Sequence, residues 1–450
     1  MTIPPAKVLR SVILLFLVSL FLTGCSLQDP GSWLSALTGK KETSGPVSLV
    51  YWGLFEGKEV MQPLIKEYQD KHPNVTIDYS ARSFSTLAQY KELLLSRLKQ
   101  GTGPDILRVH LTWLPQFTPE LAPVSPKILS EKEYAGTFYP VAKEWSSVNG
   151  SLYSIPLQYD GLGLYINDAF LAEATGAAKP QTWYDFRVVA KKMAKTSTDG
   201  NAQLLRAGAA IGNASNIPHA ADIFGLMFAQ SDLSFPADIS SQAAQDALTF
   251  YTNFIRVDKV WSANYPNSVQ AFARGQVAMI FAPLWRMMDI INLNPNLKFS
   301  VNPVPQAPAQ EGRNVTNTNW ASFWTESVSN RSKNQEVAWD FLKFLSSKES
   351  LKKMYSLSSQ SRPLGQPYSR VDLASDLSID GNITSVLAGA PTARTATISD
   401  VAGNDPYTEA INGAIEANLK GVSAAEALKT AQQTIERLMG LGLPSPSPKK

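Results

Sequence analysis

Strand-like and helix-like patterns alternate along the first part of the chain. Short runs at 47–51, 75–79 and 105–109 are rich in β-branched and aromatic residues and predict strands. Between them, residues 57–71 and 86–99 carry apolar side chains three and four positions apart, which predicts two amphipathic helices. This alternating order is typical of an α/β fold with a largely parallel, doubly wound sheet. Ligands bind such sheets beyond the carboxyl ends of the strands, so the loops there are candidate sites.

A central stretch at 153–168 has two short apolar runs on either side of a polar segment, 158–160, which is followed by Gly161. Such a segment can leave one lobe as a strand, present side chains in a gap, and enter a second lobe as a strand. The alternative is one buried strand with a bulge. Gly161 permits close approach of another backbone in either case.

The second part of the chain repeats these patterns with more helix. Helical spacing of apolar residues predicts helices at 182–193, 220–229 and 243–257. An apolar strand at 277–281 then leads into the segment 282–286, whose tip carries an aromatic and a cationic side chain. This is the same strand-to-loop transition as in the first part.

The last third predicts a strand at 299–304, a proline-rich connection at 303–312 and an alternating segment at 320–324. Helices follow at 334–346 and 423–439, with apolar residues at core spacing. No internal repeat is present in the sequence.

The first residues indicate export from the cytoplasm. Lys7 and Arg10 precede an apolar run at 12–22, which has the length of a signal-peptide core. The run ends at the only cysteine, Cys25, in a sequence that resembles the lipobox of bacterial lipoproteins. That resemblance implies cleavage before Cys25 and lipidation of its thiol, with the polar segment at 25–45 as a tether. A chance cysteine after an uncleaved anchor is the alternative.

Composition excludes several classes of function. The net charge of +3 comes without a basic run in the body of the chain, which argues against a nucleic-acid partner. Three scattered histidines and one cysteine argue against a zinc site. No glycine-rich phosphate loop and no nucleophile elbow is present, so no cofactor is predicted. Ten tryptophans are many for 450 residues, and aromatic faces stack on ligands that have an apolar side.

Taken together, these patterns resemble the extracellular solute-binding proteins of bacterial ABC importers, in the carbohydrate-binding (maltose-binding-protein-like) branch. The resemblance covers nearly the whole chain after the lipobox, and its motifs occur in the same order and spacing. They are V-S-L-V-Y-W-G at 47–53, G-T-G-P-D-I at 101–106, S-I-P-L-Q-Y-D-G-L-G-L-Y-I-N-D at 154–168, P-Q-T-W-Y-D-F at 180–186, F-A-R-G-Q-V-A-M at 272–279, A-W-D-F-L-K-F-L at 338–345 and S-A-A-E-A-L-K-T-A-Q at 423–432.

The resemblance implies a type II periplasmic-binding-protein fold: two α/β lobes with mixed, mostly parallel sheets, three crossovers and a central cleft. The crossovers would be the central stretch, the proline-rich 303–312 and the short link at 346–348. The implied domains are a signal peptide (1–24), the tether (25–45), an N-terminal lobe (46–157 and 310–346), a C-terminal lobe (158–309 and 347–441) and a disordered tail (442–450).

A sugar has hydroxyls around its rim and an apolar C–H face, so its site needs aromatic rings together with carboxylates or guanidinium groups. Asp160 on the central stretch is the first choice for a rim acceptor, and a turn cap is its alternative. Glu56 is a second acceptor or else a solvated loop acid. Trp285 is the first choice for a stacking ring, whereas Trp261, Trp320 and Trp324 could equally belong to the core, and Trp145, Trp183 and Trp339 are assigned to packing. The further candidates are Arg108, His110, Trp113, Trp261, Arg286, Trp320, Trp324 and Tyr407.

The function that the resemblance implies is binding of a carbohydrate and its delivery to an ABC permease, by a lipid-anchored monomer on the outer face of a membrane. The segment 110–113, H-L-T-W, departs from the Asp and Asn that often follow the G-P-D-I strand in the family. A peptide, an osmolyte or another polar solute therefore stays open as the ligand. Two further hypotheses are a glycosidase that uses Glu56 and Asp160 and a binding lipoprotein without a transport role.

Overall fold

Two β-sheets organise the chain from Val47 onward in this computed structural model, which describes residues 45–176, 178–198, 203–307, 317–363, 365, 367–377, 380–399 and 405–440. The expected signal peptide, the lipidated Cys25, the tether before Gly45 and the tail at 442–450 lie outside the described residues. Those expectations stay predictions.

The strands are β1 (Val47–Gly53), β2 (Val75–Ala81), β3 (Ile106–His110), β4 (Ser147–Val148), β5 (Ser151–Leu152), β6 (Leu162–Asn167), β7 (Lys195–Thr196), β8 (Leu204–Ala210), β9 (Val277–Pro283), β10 (Phe299–Asn302), β11 (Asn319–Trp320), β12 (Trp324–Val328) and β13 (Ala393–Arg394).

The α-helices are α1 (Lys58–Lys71), α2 (Leu87–Lys99), α3 (Leu114–Phe117), α4 (Glu131–Thr137), α5 (Pro140–Ser146), α6 (Asp168–Thr175), α7 (Trp183–Met193), α8 (Ala220–Gln230), α9 (Gln242–Arg256), α10 (Ser268–Ala273), α11 (Arg286–Leu293), α12 (Gln335–Leu345), α13 (Lys348–Ser358), α14 (Gly381–Leu387), α15 (Pro406–Leu419) and α16 (Ala424–Leu438). Short 3₁₀ helices span Leu111–Trp113, Thr118–Glu120, Val371–Leu377 and Ala390–Thr392.

The first sheet has the strand order β12-β3-β1-β2. Strands β1, β2 and β3 are parallel, as the alternating strand and helix patterns predicted, and β12 joins β3 in the antiparallel direction. Buried and exposed residues alternate along most of β1, whereas all of β3 is buried. We call this sheet and the helices packed on it the first lobe.

The second sheet has the order β10-β6-β9-β8-β7 and is mixed in a different way. Strands β8 and β9 pair in parallel, while β6 pairs with both β9 and β10 in the antiparallel direction. The helices α9, α15 and α16 pack together on this side of the molecule. We call this sheet and its helices the second lobe.

Residues 155–161 connect the two lobes. Ile155 is bridged to Glu326 of β12, and Gly161 is bridged to Ala321, so the segment runs antiparallel to the chain that enters β12. At Gly161 a Cβ atom would lie 2.6 Å from the carbonyl oxygen of Trp320. Glycine is therefore needed there for close backbone approach, and β6 begins only at the next residue.

The boundary expected at 346–348 differs in the structure. Helix α13, which the expectation assigned to the C-terminal lobe, packs against α1 of the first lobe. Lys353 Nζ of α13 lies 3.1 Å from Glu67 Oε2 of α1. The chain then passes the first crossover, where Tyr368 is bridged to Gln158, and α14 packs on β10 of the second lobe. The transfer between lobes thus comes after α13.

Candidate functional site

Several of the candidate residues lie at two sheet edges. In the first sheet the parallel strands β1 and β3 end at one edge, and antiparallel β12 begins there, with Trp324 opposite His110. In the second sheet β6 begins where β9 ends, with Leu162 opposite Pro283. This register places Asp160 and Trp285 at the same edge, because Asp160 lies two residues before Leu162 and Trp285 lies two residues after Pro283. Both edges are joined by the crossing segments described above.

A cluster of rings covers the edge of the first sheet. Trp324 packs edge-on against Trp113, with ring centroids 5.1 Å apart, and against His110 at 5.5 Å. Trp113 and Trp324 are both buried. Phe55 also packs edge-on against Trp324, at 5.3 Å, yet its side chain is 52% exposed. Phe55 is thus the exposed face of this cluster, although it was not predicted from the sequence.

The backbone at Phe55 is strained, with φ of 68°. A bulky residue without a special side chain rarely adopts this left-handed conformation, and it is held there only when the surroundings require it. Such strain concentrates at functional sites. We therefore add Phe55 to the candidate residues.

The imidazole of His110 links three segments. Its Nδ1 lies 2.7 Å from Thr112 Oγ1, and its Nε2 lies 3.1 Å from Ser322 Oγ of the chain between β11 and β12. Thr112 in turn lies 3.5 Å from the carbonyl oxygen of Ser399. His110 is fully buried, and these contacts hold the polar groups together at the sheet edge; as a ligand contact it stays a prediction.

Glu56 is a buried, paired carboxylate rather than a solvated loop acid. Its side chain is 3% exposed. Oε1 lies 3.1 Å from Arg362 Nη2, and Oε2 accepts a hydrogen bond of 3.1 Å from Ser358 Oγ. Both partners lie at or just after the end of α13, so Glu56 ties the loop after β1 to the chain that leaves the first lobe.

Arg108 has a structural role that differs from the expectation of ligand contact. Its Nε lies 2.6 Å from Glu326 Oε1, directly across the β3–β12 pair, and its Nη1 donates to the carbonyl oxygen of Leu54 at 2.9 Å. The side chains of Arg108 and Glu326 are 3% and 0% exposed. The guanidinium group is therefore occupied inside the first sheet.

Asp160 caps the loop that follows β9. Its Oδ1 accepts hydrogen bonds from the backbone N–H groups of Gly161 at 2.6 Å and Leu284 at 2.7 Å, and its Oδ2 accepts from Trp285 at 3.1 Å. These are the contacts of a turn cap, which was the alternative to ligand contact for this residue. Burial raises the pKa of Asp160 to about 7, and these N–H donors only partly oppose that shift.

This shift predicts a pH-dependent stability. The pKa of Asp160 is about 7 in the folded state, against roughly 3.9 for an unfolded aspartate. Between these two pKa values the folded state keeps a proton on Asp160 that the unfolded state has released. The stabilisation that comes from this proton is therefore fully present below about pH 4 and is lost as the pH rises through 7. We expect the free energy of unfolding to fall more between pH 5 and pH 8 in the wild type than in Asp160→Asn, measured by urea unfolding. Equal pH dependence in both proteins would contradict the assignment.

Trp285 and Arg286 form a stacked pair at the edge of the second sheet. The guanidinium carbon of Arg286 lies 3.9 Å from the centroid of the Trp285 ring. Adjacent side chains in a strand would point to opposite sides. Trp285 and Arg286 lie together because α11 begins at Arg286, so the strand geometry has already ended. Both side chains are partly exposed.

The cation of Arg286 is held by neighbours on the second lobe. Its Nε lies 3.2 Å from His219 Nε2, and its Nη1 lies 2.8 Å from Asp289 Oδ2. His219 Nδ1 lies 3.1 Å from Asp222 Oδ2. Burial lowers the pKa of His219, which favours a neutral ring that donates to Asp222 and accepts from Arg286.

Trp320 and Trp261 make the contacts of core residues in the second lobe. Trp320 is 2% exposed, and its Nε1 donates to Asp222 Oδ1 at 2.8 Å. Trp261 is also 2% exposed and lies parallel to Tyr265, with ring centroids 5.0 Å apart. Tyr407, in the first turn of α15, is half-buried. As ligand contacts, all three stay predictions.

The segment 395–399 carries polar groups that were not predicted from the sequence. The hydroxyl oxygens of Thr395, Thr397 and Ser399 are buried and have no hydrogen-bond partner among the described residues. Ser399 is beside Thr112, at the edge of the first sheet. Buried hydroxyls without partners cost free energy, so three within five residues indicate a place for water or for a hydroxylated ligand. The alternation T-A-T-I-S was the available sequence signal.

Two sheets joined by several crossing segments define a two-lobed α/β fold. The sequence profile of the family described as bacterial extracellular solute-binding protein matches residues 63–364. The chain belongs to this family, and the resemblance noted in the sequence is confirmed. Within the described ranges, no helix has the length and apolar character needed to cross a membrane.

Individual proteins of known type are similar over most of the chain. The arabinooligosaccharide-binding protein of Bacillus subtilis is 22% identical over 366 residues, 77% of this chain and 78% of that protein. A cyclo/maltodextrin-binding protein solved with maltotetraose has a TM-score of 0.70 at 17% identity, over 91% of this chain and all of its own. A solute-binding protein of an ABC transporter from Thermotoga lettingae, bound with alpha-D-tagatose, has a TM-score of 0.65 at 21% identity, over 88% of this chain and all of its own. These structures confirm the predicted fold.

Proposed function

We propose that this protein binds a carbohydrate, a mono- or oligosaccharide, between its two lobes and delivers it unchanged to an ABC permease. The observation that carries the proposal is the presence, at the two sheet edges, of an exposed and a partly exposed ring together with hydrogen-bonding groups. Phe55 lies at the edge of the first sheet, and Trp285 with Arg286 lies at the edge of the second. Rings of this kind stack on the apolar face of a sugar, and guanidinium and hydroxyl groups bind its rim.

The relatives support the same ligand class, because their names include an arabinooligosaccharide, maltotetraose and tagatose. A non-sugar solute such as a peptide or an osmolyte is the second candidate, favoured by the unusual H-L-T-W segment after β3. A glycosidase is disfavoured because Glu56 is ion-paired with Arg362 and Asp160 accepts three backbone hydrogen bonds.

We further propose that the protein is a monomer held on the outer face of the membrane by lipid on Cys25. The mass of the N-terminal peptide of membrane-bound protein tests that anchor.

Thermal unfolding of the full chain with a panel of sugars, peptides and osmolytes tests the ligand class. A solute at a hundred times its dissociation constant should stabilise the protein by about 2.7 kcal/mol, which raises the midpoint by a few degrees. One sugar should raise the midpoint and be recovered intact. A shift with a peptide or an osmolyte alone would contradict the carbohydrate assignment, and recovery of a cleaved sugar would show turnover.

Phe55→Ala should then weaken binding of that sugar about tenfold, because the exposed ring no longer stacks on it. Tyr184→Ala is the matched control for loss of an exposed ring, since Tyr184 is an aromatic residue that is 71% exposed on α7. Titration calorimetry measures both variants. Equal affinities for the two variants would remove Phe55 from the site.

A further inference from the structure

An ion pair joins α2 of the first lobe to the start of α15 in the second lobe. Lys91 Nζ lies 2.9 Å from Asp405 Oδ2, and the two side chains are only 15% and 3% exposed. Asp405 is also the N-cap of α15, where its Oδ1 accepts a hydrogen bond of 2.9 Å from the backbone N–H of Tyr407. The pair is therefore well shielded from solvent on both sides.

Each partner is fixed to its own lobe. Tyr90, next to Lys91 on α2, is fully buried and donates to the carbonyl oxygen of Arg108 in β3 at 2.6 Å. On α15, Glu416 Oε1 accepts hydrogen bonds from the backbone N–H groups of Ala214 at 2.8 Å and Ser215 at 2.9 Å, just after β8. Movement of one lobe relative to the other must change the distance between Lys91 and Asp405.

The local surroundings stabilise both the negative charge of Asp405 and the positive charge of Lys91. The negative Asp405 lies at the N-terminus of a 14-residue helix, where the helix dipole stabilises an anion. The ammonium group of Lys91 lies 5.1 Å from the centroid of the buried Trp113 ring, in the range of a cation–π contact. A pair shielded in this way is screened by salt much less than an exposed pair.

We propose that Lys91 and Asp405 are positioning residues that hold the two lobes together and so set the affinity for the solute. We call them the closure pair. Apparent affinity is the intrinsic affinity multiplied by the fraction of molecules in the binding-competent arrangement. A contact that exists only when the lobes meet raises that fraction without touching the solute. The effect on affinity rests on the proposed binding function, whereas the effect on the lobes does not.

Distances between spin labels on the two lobes test the closure pair in the full chain. Cys25→Ser removes the native thiol, and labels are attached at Lys99→Cys on α2 and Lys429→Cys on α16, both exposed positions. Lys91→Met keeps the stem over Trp113, and Asp405→Asn keeps an N-cap oxygen, while each removes one charge. Without any solute, each variant should move the distance distribution to longer values, and the double variant should move it no further than either single one.

Lys66→Met and Asp70→Asn are the matched controls. They remove an i, i+4 pair of 2.7 Å on α1 whose side chains are 73% and 61% exposed, and they should leave the distances unchanged. With the sugar found in the panel, the closure-pair variants should lose about fivefold or more in affinity. Wild-type distances in both single variants, or additive effects in the double variant, would overturn the proposal. A panel without any active solute would contradict the proposed function and leave the distance result standing.

Discussion

Glu326→Leu should lower the free energy of unfolding by about 3–5 kcal/mol, because it leaves the Arg108 guanidinium buried without its partner. The two side chains are 0% and 3% exposed, and the short contact between Arg108 Nε and Glu326 Oε1 lies directly across β3 and β12. Water cannot replace the lost carboxylate at this depth. Urea unfolding followed by tryptophan fluorescence measures the change.

Arg108→Met should cost about as much, since it leaves the carboxylate of Glu326 buried and unpaired. Burial raises the pKa of Glu326, and Arg108 is the first of the groups that oppose this rise, so the carboxylate loses its main stabilising partner. The double variant Arg108→Met/Glu326→Leu replaces the pair with apolar side chains of similar size. The free energy of unfolding of this double variant should lie within a few kcal/mol of the wild-type value or above it.

The double variant decides between two roles for Arg108. If Arg108 were mainly a ligand contact, the single variant would change affinity and leave the free energy of unfolding nearly unchanged. A double variant that loses the sum of both single effects would show that the charges contribute independently, contrary to the ion-pair assignment. The exposed Lys66–Asp70 pair provides the reference, since loss of such a pair typically costs below 1 kcal/mol.

The fold was predictable because its signals are local. Strands β1, β2 and β3 and the helices α1 and α2 between them appear in the sequence as periods of two or of three to four residues, and their parallel order follows from the alternation. Trp285 became a candidate by the same logic, since it lies two residues after the end of the buried strand β9, and as a ligand contact it stays a prediction. The expectation of mostly parallel strands describes the second sheet less well, because β6 runs antiparallel to both of its neighbours. Alternation alone does not specify those directions.

The roles of Arg108 and Trp320 were not predictable, because their partners are distant in the chain. Glu326 lies 218 residues from Arg108, and Asp222 lies 98 residues from Trp320. The side chain of a residue near the end of a strand can point into the space between the lobes or remain paired within the sheet. Which of these occurs depends on the neighbouring strand. Phe55 was overlooked for a related reason, since nothing in the segment L-F-E indicates a left-handed backbone at a phenylalanine.

The misplaced lobe boundary has the same cause. The amphipathic pattern of α13 shows that one face is buried, with Leu351 and Met354 in the core. It does not show which lobe provides the opposite surface. The ion pair of Lys353 with Glu67 of α1, 286 residues apart, becomes visible only in the folded chain.

Trp320→Ala should lower the free energy of unfolding by about 3–5 kcal/mol, the usual cost of removing a large buried ring. Trp320 is 2% exposed, and its ring lies so close to α8 that a Cβ atom at Gly225 would be 2.5 Å from it. Trp320 thus attaches the crossing segment to the second lobe. Urea unfolding measures the loss, and Tyr184→Ala, at an exposed ring, should change the free energy by less than about 0.5 kcal/mol.

Gly225→Ala tests the same contact from the other side. Alanine in place of glycine inside a helix normally stabilises it by about 1 kcal/mol, so a local effect alone would raise the free energy of unfolding. Because the new methyl group would meet the Trp320 ring, we expect the opposite sign, a loss of about 1–3 kcal/mol. The loss should disappear when Gly225→Ala is combined with Trp320→Ala, since the ring is then absent. If Gly225→Ala stabilises the wild type, the ring does not fill the space above α8, and Trp320 becomes available as a ligand contact.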